Sequence, residues 1–227
     1  MKTGIQAVAS ALGGLVLSGL ILALMFLLAG TFDYWQAWVF IAVLAVSHSV
    51  TIIYWGLTNP AAAKRRISSG PTAESRTSQK LIITGIWLSV FALIVFSAID
   101  YRFGWSRVPA AVSVIGDVLV AISILITMLV VVQNNYAAAT VRVEAGQAVV
   151  CGGVYKFARH PMYVGNVILM VGIPLALGSY WALVFVLPGL AVLVFRIVDE
   201  EKLLRQELAG YSEYAHRVRY RLMPYVW

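Results

Sequence analysis

Long apolar runs separated by short polar stretches fill this chain. Runs of spanning or near-spanning length lie near residues 5–29, 36–57, 81–99, 109–133, 162–178 and 180–198. A helix needs about 20 apolar residues to cross a bilayer, and fewer when it is bent or partly covered by protein. The first four runs predict full spans. The last two are the shortest, and Leu177-Gly178-Ser179-Tyr180 between them predicts a tight helical hairpin. Pro174 and Pro188 fall inside these runs and predict kinks. The expected fold is an all-α integral membrane bundle of about six transmembrane helices, ending in a cytoplasmic amphipathic helix. Five crossings plus a re-entrant hairpin is the alternative. No internal repeat divides the chain, so residues 1–227 are read as one membrane domain.

The first run carries Lys2 and resembles a signal peptide at its start. Its apolar stretch is longer than a typical signal core and no cleavage pattern precedes Asp33, so it is read as a helix. Ser10, Gly14 and Ser18 recur every four residues, which predicts close packing against a neighbouring helix.

Composition strengthens the membrane reading. The chain is 61% hydrophobic and 12% charged, against about 25% charged in ordinary soluble domains. The net charge of +7 sits in the segments between apolar runs. It therefore points to lipid head groups and membrane orientation rather than to nucleic acid. With an even number of crossings and a cytoplasmic N-terminus, 15 of the 17 basic residues fall inside, and only Arg102 and Arg107 fall outside. Both termini are thus expected in the cytoplasm. Cys151 is the only cysteine, and His48, His160 and His216 are widely spaced. No intrachain disulfide, thiolate cluster or HExxH pair can form, so no metal site is expected.

The polar loops 58–80 and 134–161 are long enough to suggest function. Past the second loop, Arg196, Glu200, Leu204, Leu208, Tyr211, Ala215 and Val218 follow helical spacing and are read as one face of one helix. Two readings of its top stay open. Arg196 and Glu200 form an ion pair on an interfacial helix, with the arginine snorkelling to the head groups. Or the arginine sits in a partly dry cleft, where its fork suits a carboxylate or phosphate. His160 and Tyr163 are three apart and face one way, at a helix start marked by Pro161. Gly152, Gly153 and Gly165 permit close backbone approach, and a structural turn with a lipid-facing tyrosine belt is the competing reading. His48 and Asp117, alone in apolar runs, are read as satisfied packing residues. There is no GxGxxG turn and no P-loop.

Together, Arg159-His160-Pro161-x-Tyr163-x-Gly165, then Arg196, Glu200-Glu201, Leu203-Leu204, Gly210-Tyr211, Tyr214, Val218-Arg219-x-Arg221 and Pro224, resemble the signature of the isoprenylcysteine carboxyl methyltransferase superfamily. The resemblance covers residues from about 133 to 227, in the manner of the compact prokaryotic-type branch. Residues 1–132 match it only as apolar scaffold helices. The chain departs from the pattern at Val154, where the family often has proline, and at Tyr225, where it often has glycine.

The resemblance implies an S-adenosylmethionine-dependent methyltransferase of a prokaryotic cell membrane, with S-adenosylhomocysteine as product. By that analogy the cofactor is held by the loop around 149–160 and the last two helices, through Tyr155, Arg159, His160, Pro161, Tyr163, Gly165, Glu200 and Glu201. Arg196 and Glu200 are the implied catalytic residues, with Arg196 positioning the acceptor. The acceptor is small or lipid-like, with a prenylcysteine-type carboxylate as reference and a thiol or a phospholipid amine as alternatives. A transporter or a non-catalytic scaffold is the competing class. No polar pathway and no inverted repeat support a transporter.

Overall fold

The computed structural model describes residues 2–61, 74, 76–137, 143 and 146–227, with residues 2–11 described by backbone alone. The basic run Lys64-Arg65-Arg66, Arg142 and the Ser10 side chain lie outside that description.

Each long apolar run forms a helix: α1 (Lys2–Ala29), α2 (Trp35–Thr58), α3 (Thr77–Phe103) and α4 (Ala110–Gln133). After loop 134–160 come α5 (Pro161–Ala176), a 3-10 turn (Trp181–Phe185), α6 (Val186–Glu207) and α7 (Tyr211–Arg217). No strand occurs among the described residues. Five of these stretches are long and apolar enough to cross a membrane: Leu12–Ala29, α2, α3, α4 and Trp181–Glu207. The 16-residue α5 is shorter, about 24 Å at 1.5 Å per residue. It nevertheless runs between the same two ends of the bundle. His160 at its start lies by the loops after α2 and α4, and Tyr34 at the start of α2 donates to the Leu177 carbonyl at its far end (2.7 Å).

Helix α5 packs most extensively on α4. The contact is backbone-close because Gly116 has no side chain: a Cβ there would lie 2.1 Å from the Ala176 nitrogen. Membrane helices lack a hydrophobic drive to associate, and small residues let dispersion and backbone contacts do that work. The small face of α1 behaves differently. Gly14 has open space beside it, while Ser18 is buried and bonds back to the Gly14 carbonyl (2.9 Å). Close packing against α2 therefore begins below Gly14, not along the whole stripe.

Three expectations are corrected. Pro188 lies in the first turn of α6 rather than mid-helix, where proline is tolerated because the first N–H groups have no partner within the helix. The C-terminal face is not on one helix: α6 stops at Glu207, Leu208 is extended, Gly210 takes a left-handed φ of 82°, and α7 starts anew. Helical spacing persists across this break because the second helix folds back against the same surface. Asp117 is buried yet neither carboxylate oxygen has a hydrogen-bond partner among the described residues, so it is not satisfied. His48 does bond to the Leu44 carbonyl (3.2 Å).

The loops at one end of the bundle form a closed polar knot. Asp100, fully buried, accepts from the Ser106 amide (2.8 Å), the Ser106 hydroxyl (2.6 Å) and the Ser179 hydroxyl. Tyr34 stacks on Tyr101 at 3.9 Å. The opposite end carries the chemistry.

Candidate active site

At that opposite end, loop 146–160 is latched to the base of α4. The Gln133 amide oxygen accepts from the Val154 amide (2.9 Å). Gly153 is required there twice over: its φ is 56°, and a Cβ would lie 2.1 Å from that same oxygen. The 3-10 turn Gly153–Lys156 then carries Tyr155 inward, where Asn134 donates to its hydroxyl (3.0 Å). Burial, with the Glu200 charge adding and the Asn134 bond opposing, pushes the Tyr155 phenol up to about 12. It stays a neutral donor at any ordinary pH.

A second latch closes the loop from the C-terminal side. The backbone amides of Arg159 and His160 donate to the carbonyls of Tyr220 and Arg221 (both 3.0 Å). Glu201 holds this junction together. One of its oxygens meets Arg159 Nη1 (3.0 Å) and His160 Nε2 (3.3 Å), and the other accepts from Arg221 Nε (3.0 Å). Glu201 is 3% exposed, so a carboxylate here stands only because three partners surround it.

Glu200, its neighbour in sequence, points the other way. Successive residues on a helix lie about 100° apart, so one turns to the junction and the other to the cleft. Glu200 accepts from the Tyr163 hydroxyl (2.5 Å). That same hydroxyl accepts from Arg196 Nε (2.9 Å). The arginine and the glutamate are thus joined through a phenol. His160 and Tyr163 stack with ring centroids 5.5 Å apart, as their spacing predicts.

These elements enclose a cleft lined by loop residues 147–150, by Asn134, Tyr136 and Ala137 below α4, and by Tyr155, Arg159, His160, Pro161, Met162, Tyr163, Glu200, Leu204, Leu208, Tyr211 and Tyr214. Its cavity volume is about 110 Å³, and its mouth is open to solvent. Its wall contains donors with nothing to bond. The Tyr211 hydroxyl and Arg159 Nε are buried and unpartnered among the described residues. Burial, then the charges of Glu201 and Glu200, raises the Tyr211 phenol, so it too remains a neutral donor.

Of the residues expected at the site, Tyr155, Arg159, His160, Pro161, Tyr163 and Glu200 line the cleft. Glu201 stands behind it in the junction. Gly165 is away from it, facing α4, where a Cβ would lie 3.2 Å from the Ser123 carbonyl oxygen: the missing side chain serves helix packing, not ligand approach. Arg196 also lies behind the wall, 4% exposed. Its Nη1 donates to the Gln79 side-chain oxygen (2.8 Å) and its Nη2 pairs with Glu74 (3.2 Å). Glu74, Gln79, Asn134 and the unpartnered hydroxyl of Tyr211 were not singled out in the sequence as site residues.

Residues 111–209 match the phospholipid methyltransferase family. Over 91 residues the chain is 32% identical to a Delta(14)-sterol reductase of Mus musculus, an overlap covering 39% of this chain. The chain spans 22% of that relative's length.

Proposed function

We propose that this chain, whose residues 111–209 match the phospholipid methyltransferase family, belongs to that family within the isoprenylcysteine carboxyl methyltransferase-like superfamily, that the cleft binds S-adenosylmethionine and that a lipid-like acceptor is methylated at its inner wall. The observation that carries this reading is the mismatch in the cleft wall. Buried polar atoms are nearly always bonded, yet among the described residues the Tyr211 hydroxyl and Arg159 Nε have no partner. A ligand with acceptor atoms would complete them. Glu200, half-buried at the same wall, offers a carboxylate to a ligand's ammonium or hydroxyl groups.

When bound, the cofactor supplies an electrophilic methyl on a sulfonium. The chain's own residues then hold and orient. Tyr155, Tyr163, Tyr211 and Tyr214 present aromatic surface, which suits both a cation and a flat base. Tyr163, fixed between Arg196 and Glu200, keeps the Glu200 carboxylate at the wall. Positioning of this kind accounts for much of the rate of an in-line displacement, because no bond in the protein is made or broken.

A lipid-like acceptor follows from where the site lies. The cleft is at the end of apolar helices whose outer faces are exposed over many large side chains, among them Leu81, Leu88, Phe91, Phe195 and Val198. An acceptor in the bilayer reaches the wall sideways along α3 and α6. A relative whose name is that of a sterol reductase is in keeping with an apolar substrate. The basic residues Lys156, Arg217 and Arg219 near the cleft support a cytoplasmic orientation for this end by the charge rule.

The test is calorimetric titration of the purified chain in detergent with S-adenosylhomocysteine, beside Glu200→Gln. The expected result is micromolar binding that the variant weakens at least tenfold. Absence of binding to folded wild-type protein overturns the cofactor assignment.

A further inference from the structure

The arginine that the family resemblance offers to the methyl acceptor is already occupied by an acid of this chain. Glu74 is 3% exposed and lies against Arg196 Nη2 at 3.2 Å. It is brought there just ahead of α3, and the start of that helix is fastened to α6. Arg76 pairs with Asp199 (2.6 Å), and Gln79 donates to the same Asp199 oxygen while accepting from Arg196. Glu74 and Gln79 both lie outside residues 111–209, the segment matched to the family.

The charges around Arg196 follow from these contacts. Two guanidinium groups, Arg196 and Arg76, face three carboxylates: Glu74, Asp199 and, through the Tyr163 hydroxyl, Glu200. Among the described residues the sum is one negative charge. An acceptor carboxylate seeking the arginine fork must displace Glu74, leaving a buried carboxylate without that guanidinium. Removing one partner of a buried pair is strongly unfavourable, whereas a neutral or cationic headgroup leaves the pair intact. An unfavourable element aimed at one competitor is a common source of specificity.

We propose that Glu74 is a specificity-determining residue for the methyl acceptor: it fills the carboxylate-binding fork of Arg196, so the acceptor's reacting headgroup is neutral or cationic rather than an anionic carboxylate. This rests on the methyltransferase reading and specifies its substrate class. Arg196 is then a positioning residue that acts through Tyr163.

The experiment compares the wild-type chain, Glu74→Gln and Glu74→Ser in lipid nanodiscs saturated with S-adenosylhomocysteine. The probes are N-acetyl-S-farnesylcysteine, which is a carboxylate, and its neutral methyl ester. The wild type is expected to bind the ester at least as tightly as the acid. Both variants are expected to bind the acid at least tenfold more tightly than the wild type does, with the ester changed less than twofold. A wild type that prefers the acid tenfold, or variants that gain no affinity for it, overturns the proposal. The serine variant keeps the test decisive if the amide variant fails to fold. Titration of the homocysteine product on the same samples reports the cofactor assignment separately. If it fails there, the methyltransferase reading falls, whatever the acid and ester do.

Discussion

An acid stands at each end of the bundle, Asp100 buried at one and Glu200 half-buried at the other, and only one end is a candidate site. At the far end Asp100 accepts three hydrogen bonds from Ser106 and Ser179. That network joins the loops after α3 and α5. At the near end Glu200 takes one bond from Tyr163 and lines a cleft whose wall holds the unpartnered Tyr211 hydroxyl and Arg159 Nε. Ionisable groups in membrane helices are presumed functional because they are costly. The contrast refines that rule. A buried acid with its bonds complete secures the fold, and one beside open space and unsatisfied donors awaits something.

Asp117 is the instructive third case. It is buried and unbonded like the near-end donors, but it lines no cleft described here, and nothing in the structure explains it.

The comparison can be broken in three ways. The largest effect is expected from Glu201→Ala, which strips Arg159, His160 and Arg221 of their common acid. Breaking such a buried charge cluster costs about 3–5 kcal/mol, and thermal unfolding in detergent should show a large loss of stability together with lost binding of S-adenosylhomocysteine. A stable, binding-competent variant contradicts the keystone role. Next comes Asp100→Ala. Leaving two serines without their acceptor costs about 1–3 kcal/mol. Unfolding should move to lower temperature while the affinity for S-adenosylhomocysteine changes less than twofold. A loss of affinity there would mean that the two ends are coupled. The smallest effect is expected from Tyr211→Phe. Deleting an unpartnered buried hydroxyl leaves stability within about 1 kcal/mol of wild type or raises it. The same change should weaken S-adenosylhomocysteine binding several-fold, since the hydroxyl is needed only when a ligand is present. Equal affinity in wild type and variant removes Tyr211 from the site.

The helices were legible because continuous apolar runs have no other stable form in a bilayer. The core of the cleft was legible too, since Arg159, His160, Tyr163 and Glu200 belong to one ordered signature. Three features were hidden for physical reasons. The break at Leu208–Gly210 preserves helical spacing on both sides, so periodicity runs through it. Gly165 looks the same in sequence whether its bare backbone meets a ligand or, as here, the Ser123 carbonyl. Glu74 and Gln79 reach Arg196 across 122 and 117 positions of sequence. No local pattern encodes a pairing of that range, and a polar loop with a basic run reads as solvated surface. The different fates of Glu200 and Glu201 follow from helix geometry, but which of the two turns inward depends on the partners waiting on each side.

The latch between Arg159–His160 and Tyr220–Arg221 has a consequence for biogenesis. The Arg159 side chain bonds to the Arg219 carbonyl across 60 positions of sequence, and Glu201 must wait for Arg221 to complete its set. Insertion of the apolar helices needs none of these contacts. Chain emerging from the ribosome can therefore build its bundle first and must build its cleft last, after residue 221 has cleared the exit tunnel. During that interval the polar junction is open to water and to proteases, so loop 146–160 should be open to cutting in a nascent chain and become protected once residue 221 has emerged.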